Sequence, residues 1–124
     1  MREPIIGQAE SGGERFSAIG DSFVIHEWRG SGPALMHVHH GDDEAWHVLE
    51  GTLKFRFVDR EVSVGAGQSV FVPAGVPHTY EAVNARYLII LTPRLASLIA
   101  ELQRTRDPEK QPAIYETHDS ELLE

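Results

Sequence analysis

Short apolar-rich runs recur at close intervals along most of the chain. They read RFSAI (15–19), SFVIHEW (22–28), ALMHVH (34–39), AWHVLE (45–50), TLKFRFV (52–58), REVSV (60–64), SVFVP (69–73), HTYEAV (78–83) and ARYLIIL (85–91). Gly, Pro, Asp or Asn separate most of them, the pattern of an all-β sandwich or barrel. Residues 92–104 break the pattern. Thr92 is suited to cap a helix, Pro93 to its first turn, and Leu95, Leu98, Ile99 and Leu102 fall at i, i+3, i+4 and i+7, which predicts one helix burying one apolar stripe. Residues 1–13 carry no clear period and predict a flexible segment ahead of a domain spanning 14–104. Residues 105–124 are charged and Pro-interrupted. With only Ile114, Tyr115, Leu122 and Leu123 as sizeable anchors, they are expected to wrap the barrel or a partner subunit, and a homodimer is the expected assembly.

Length and charge narrow the partners. A chain of 124 residues builds one core. Eleven basic against nineteen acidic residues give a net charge of -8, which opposes binding to nucleic acid or to an anionic membrane. There is no cysteine, so any metal must be held by nitrogen and oxygen. The longest strongly apolar run, Tyr87–Leu91, is far too short to span a bilayer, and a cytoplasmic location is the expectation.

Candidate chemistry concentrates in two segments. In GPALMHVHHGDDEAWHVLEG, His37 and His39 stand at the strand spacing His-x-His, which puts them on one face with about 6.6 Å between Cα atoms. A hairpin through the Gly-Asp-Asp turn would return Glu44 beside His39. In GQSVFVPAGVPHTYEA, His78 follows a Pro-Ala-Gly-Val-Pro turn that restricts the backbone at Pro73 and Pro77 and permits a positive φ at Gly75. Together, His37-x-His39, Glu44 and Gly51, then Gly67, Pro73-x-Gly75 and His78, resemble the paired signatures of the cupin superfamily in order and spacing. The resemblance covers residues 30–82 or so. Two positions depart from it: Ser31 stands where the family carries its leading glycine, and Ala82 where an Asn often closes the second signature.

The resemblance implies a small cupin, a double-stranded β-helix or jelly roll with one C-terminal helix. It also implies one divalent metal held by His37, His39, Glu44 and His78. Three imidazoles and a carboxylate suit Fe, Mn, Co, Ni, Cu or Zn, and the affinity order selects none of them. Strand alternation puts Leu35 with His37 and His39, Trp46 and Val48 with Glu44, and Tyr80 and Ala82 with His78. Leu53, Phe55 and Phe57 should point inward as core, with Lys54 and Arg56 in solvent. The predicted pocket is apolar and aromatic, without an evident Arg or Lys, and suits a flat small molecule with one or two oxygens. Similarity to quercetinase-type cupin dioxygenases adds a role for Glu44 as base toward a substrate hydroxyl, with Trp46 and Tyr80 as substrate contacts. Two rivals stand beside this reading: a redox-silent Zn-type cyclase or isomerase, and a ligand-binding cupin without catalysis. His40 and His47 have the wrong alternation for the pocket, the facing of His26 is open, and His118 reads as a tail residue.

Overall fold

The computed structural model describes residues 3–7 and 15–124. The expected flexible segment therefore lies largely outside the described residues, and 3–7 is irregular and exposed. The strands are β1 (Ser17–Ile19), β2 (Val24–Trp28), β3 (His37–His39), β4 (Glu44–Arg56), β5 (Glu61–Gly65), β6 (Ser69–Val72), β7 (Thr79–Leu91) and β8 (Ser120–Leu122). Helix α1 (Pro93–Arg104) follows β7, and α2 (Gln111–Thr117) precedes β8 after a 3₁₀ turn at Pro108–Lys110. One sheet has the order β1-β2-β7-β4-β5, with β6 also paired to β4, and a second consists of β3 and β8. All pairings are antiparallel, a jelly-roll arrangement as expected.

The scaffold is the long pair β4 and β7. Each is 13 residues, about twice an ordinary strand, because each fuses two runs that the sequence punctuates at Gly51 and Asn84. Those two residues make a corner. Gly51 has φ 73° and Asn84 φ 47°, and a Cβ on Gly51 would lie 2.1 Å from the Asn84 carbonyl oxygen. Only glycine tolerates both the conformation and the approach. The register shifts beside this corner, and β4 changes partner across it, pairing with β6 over Glu44–His47 and with β5 over Thr52–Arg56. Bending lets one strand serve two faces, so the apolar set Trp46, Val48, Leu53 and Phe55 is fully buried against Tyr87, Ile89 and Leu91. Phe57 packs at the edge of that cluster.

Helix α1 forms where its periodicity puts it. Thr92 Oγ1 accepts from the Leu95 amide at 3.2 Å, and Leu95 and Leu98 are buried. The tail is more structured than its composition suggests. Ile114 and Tyr115 enter the core, β8 pairs residue by residue with β3, and Glu124 bonds both the Met36 amide and Arg56. The tail thus wraps the chain's own barrel, one of the two expected outcomes: Ile114 and Tyr115 are buried there, Leu122 packs against the core and Leu123 is exposed. The single expected C-terminal helix is followed by a second, short one. No helix among the described residues is long and apolar enough to cross a membrane.

Candidate metal centre

The three histidines converge from two backbone segments that hold each other. His37 and His78 exchange amide-to-carbonyl bonds of 3.1 and 2.9 Å, and the Gly75 amide donates to the His39 carbonyl at 2.7 Å. Gly75 reaches that position with φ 91°, as the turn chemistry predicts. One ligating nitrogen from each of His37, His39 and His78 lies within 4.8 Å of the others, and all three side chains are buried. Glu44 joins from one side: its Oε1 lies 3.1 Å from His78 Nε2 and 3.2 Å from His39 Nε2. The route differs from expectation. β3 and β4 do not form a hairpin; they belong to different sheets, and the 40–43 loop carries the chain between them.

Hydrogen bonds assign the tautomers. Nδ1 of His37 faces the Leu35 carbonyl at 3.0 Å, and Nδ1 of His78 faces the Val76 carbonyl at 2.9 Å. A carbonyl only accepts, so both Nδ1 atoms carry the proton and leave Nε2 as the free nitrogen. His39 is fixed by a relay: the Ser120 hydroxyl donates to the His118 carbonyl at 3.1 Å, and its oxygen accepts from His39 Nδ1 at 2.7 Å. Three Nε2 atoms therefore point at one place, each held from behind by an oxygen, as metal-ligating histidines are.

The electrostatics call for a cation there. Burial raises the carboxyl pKa of Glu44, but contact with the His39 and His78 rings outweighs it and brings the value to about 2, so the group is ionised at neutral pH. Burial, then the neighbouring His78, pushes His37 down to about 4, which keeps that ring neutral. Two Nε2 atoms face an ionised carboxylate, so each ring must either carry a second proton or share a cation with it. A divalent ion at this point satisfies all four groups without loading a buried site with imidazolium charge. The residues present fit a metal.

A cavity of 520 Å³ opens onto this group. His37, His39, Glu44 and Tyr80 line it at the metal end, and Leu95, Leu98, Ile99 and Leu102 supply an apolar wall from α1. The family model described as a cupin domain matches residues 22–92, which takes in every one of the four candidate ligands. The chain belongs to the cupin family. Among solved structures it is similar to a cupin-2 domain containing protein from Shewanella frigidimarina (28% identity, TM-score 0.50, covering 64% of this chain and 79% of that one). A cupin protein from Bacteroides fragilis (14%, TM-score 0.55, 73% and 86%) and the protein NMB1881 from Neisseria meningitidis (21%, TM-score 0.53, 64% and 83%) share the fold. No curated protein matches the chain.

The other candidate residues of this cupin divide. Tyr80 lines the cavity, and its hydroxyl must donate to Tyr87, 3.0 Å away, because the Tyr87 hydroxyl itself donates to the Gly30 carbonyl. Tyr80 therefore presents a ring face and lone pairs, not a free proton, and burial followed by Tyr87 raises its pKa well above the ordinary value. Trp46 is fully buried and is not part of the cavity wall. It packs edge-on against Phe55, Tyr80 and His78, backing the site from within the core where a direct substrate contact was expected. Leu35, His37 and His39 all line the cavity, as alternation predicts. His40 is half exposed beside Glu121, and His47 bonds Ser69. His26 stacks on Trp28 and bonds Ser17, and His118 bonds Ser97 on α1. Sequence reading missed Trp28, Tyr115 and Ser120 as parts of the site. It also missed Arg106, which lines a cavity expected to lack a cation; three of these four come from α2, β8 and the segment between the helices, where no motif or period gave a signal.

Proposed function

We propose that this cupin is a metal-dependent oxidoreductase of the dioxygenase type, acting on a small aromatic or enolic compound. The observation that carries the reading is the convergence of three Nε2 atoms and one ionised carboxylate on the end of a largely apolar 520 Å³ cavity, a volume suited to a small organic ligand. His37, His39 and His78 would hold a divalent transition metal, with Glu44 as the fourth ligand. Once bound, such an ion supplies a Lewis acid and, if redox-active, a partner for dioxygen.

The chain's own residues do the rest. Glu44, ionised and a hydrogen-bond acceptor, takes the hydroxyl proton of the substrate on a carboxylate oxygen. Tyr80 offers its ring to a flat ligand, and its locked hydroxyl keeps that ring in one orientation. The α1 leucines exclude water from the reacting end. Trp46 holds Tyr80 and His78 in place through packing.

Oxygen uptake tests this reading. Protein reconstituted separately with Fe, Mn, Co, Ni, Cu and Zn is offered a panel of catechols, flavonols and small enediols in an oxygen-electrode cell. The expected result is metal-dependent oxygen consumption that His78→Ala abolishes. Equal turnover under anaerobic conditions would favour the redox-silent cyclase or isomerase instead. Saturable binding with no turnover would favour a ligand-binding cupin.

A further inference from the structure

Besides the candidate ligands, the cavity wall carries polar side chains from the end of α1 and the segment that follows it. Of the described residues lining it, Arg106 is the one Lys or Arg, and it is accompanied by Gln103 and Gln111. Gln103 is in the last turn of α1, Arg106 lies two residues beyond that helix, and Gln111 opens α2. Arg94, at the start of α1, is pinned to Asp42 in the 40–43 loop at 2.7 Å, and Gln103 is nine residues further along the helix, roughly 14 Å at the helical rise. Between them stand Leu95, Leu98, Ile99 and Leu102 on the same wall. Arg106, separated from α1 by the cap residue Thr105, is exposed.

Its charge is uncommitted. Arg56, Arg60, Arg86 and Arg94 each pair with a carboxylate, whereas Arg106, like Arg15, Arg29 and Arg104, has no side-chain hydrogen bond or ion pair among the described residues, and of these four it alone lines the cavity. A guanidinium offers five donors in a planar fork that matches a carboxylate in two bonds, and the amides of Gln103 and Gln111 can add donors beside it. Of the net charge of -8, exposed charges beyond about 8 Å are largely screened at physiological salt, so the acidic neighbour that matters is Asp107, whose carboxylate already accepts from the Glu109 amide.

We infer that Arg106 determines specificity: the substrate carries a carboxylate, or a comparable anionic oxygen group, at the end of an apolar body opposite its metal-facing oxygens. The inference rests on the metal-dependent reading above for the identity of the other end, and it narrows the substrate to a monoanionic acid from the wider class of aromatic or enolic compounds. Arg106 acts in binding. It stands away from the reacting group, so its loss raises KM and leaves kcat little changed.

The test uses zinc-loaded full-length protein and calorimetric titration with catechol acids of increasing reach: 3,4-dihydroxybenzoate, 3-(3,4-dihydroxyphenyl)propionate and 5-(3,4-dihydroxyphenyl)pentanoate, each beside its primary amide. The catechol engages the metal end, and the acid or amide probes the far end. The expected result is a preference for acid over amide of about tenfold or more at one of the three lengths, the usual worth of a charge-assisted bond. Arg106→Gln should erase that preference without changing the melting temperature, and Arg106→Lys should restore part of it. Equal binding of acid and amide at every length, or a preference that survives Arg106→Gln, would overturn the inference and leave the metal-site reading standing. Failure of every probe to bind the wild-type protein would overturn both.

Discussion

At the scale of single residues the site divides into ligands, a base and the groups that hold them. Replacing His37, His39 or His78 by Ala removes a nitrogen that nothing nearby replaces, and equilibrium dialysis should show loss of most metal affinity. Glu44→Gln should behave differently. The amide keeps the shape and one oxygen but cannot take a proton at neutral pH, so this variant is expected to retain a substantial part of the metal while turnover drops by about 10²-fold or more. Unchanged turnover would remove the base role, and loss of all metal would leave Glu44 as a ligand alone. Ser120 gives a third outcome. Its hydroxyl joins His39 Nδ1 to the His118 carbonyl, so Ser120→Ala should weaken metal binding by about ten- to hundredfold, and Ser120→Thr, which keeps the hydroxyl, should restore it. A metal affinity unchanged in Ser120→Ala would mean that β8 merely covers the site.

At the scale of elements, the corner in β4 and β7 is the part most sensitive to a single methyl. Gly51→Ala demands a positive φ from alanine and puts its Cβ 2.1 Å from the Asn84 oxygen, so urea unfolding should show a loss of about 1–3 kcal/mol or more. A stability equal to wild type would mean that the two strands are not fused there. The corner also explains what the sequence could reveal. Gly51 and Asn84 were visible as breaks between apolar runs, but a break reads as a turn, and nothing local says that a strand continues through it. The His-x-His spacing and the Pro73–Pro77 turn were legible because rigid local geometry fixes both. Glu44 was expected beside His39 for the right spacing and the wrong connection, since sheet partners are set by long-range pairing. Trp46 was placed on the correct face, yet a face shared by core and cavity does not reveal which of the two a side chain meets. The tail was opaque for a plainer reason: its apolar anchors are few, and Tyr115, Ser120 and Arg106 acquire meaning only once α2 and β8 fold back onto β3.

At the scale of the whole molecule, the buried titratable groups link the site to stability. His37 titrates near 6.5 when unfolded and at about 4 in the fold, so between these values the unfolded chain binds the extra proton. Its contribution is complete above about pH 6.5 and is lost as pH falls toward 4. Glu44, depressed from 4.5 to about 2, adds stability that is complete above pH 4.5 and fades below it. Thermal melts across that range should therefore record stepwise loss on the acid side, and a protein more stable at pH 4 than at pH 7 would contradict the burial of His37. Bound metal should steepen the loss, because its ligands must be free of protons. The central claim is that His37, His39 and His78 present their Nε2 atoms, with Glu44, to one divalent ion, and its most direct test is titration of chelator-treated protein with Co(II), followed by visible absorption. The account predicts saturation at one ion per chain, with a ligand-field spectrum that His78→Ala abolishes and Ser120→Ala shifts. No uptake of Co(II), or uptake that persists unchanged in His78→Ala, would contradict it.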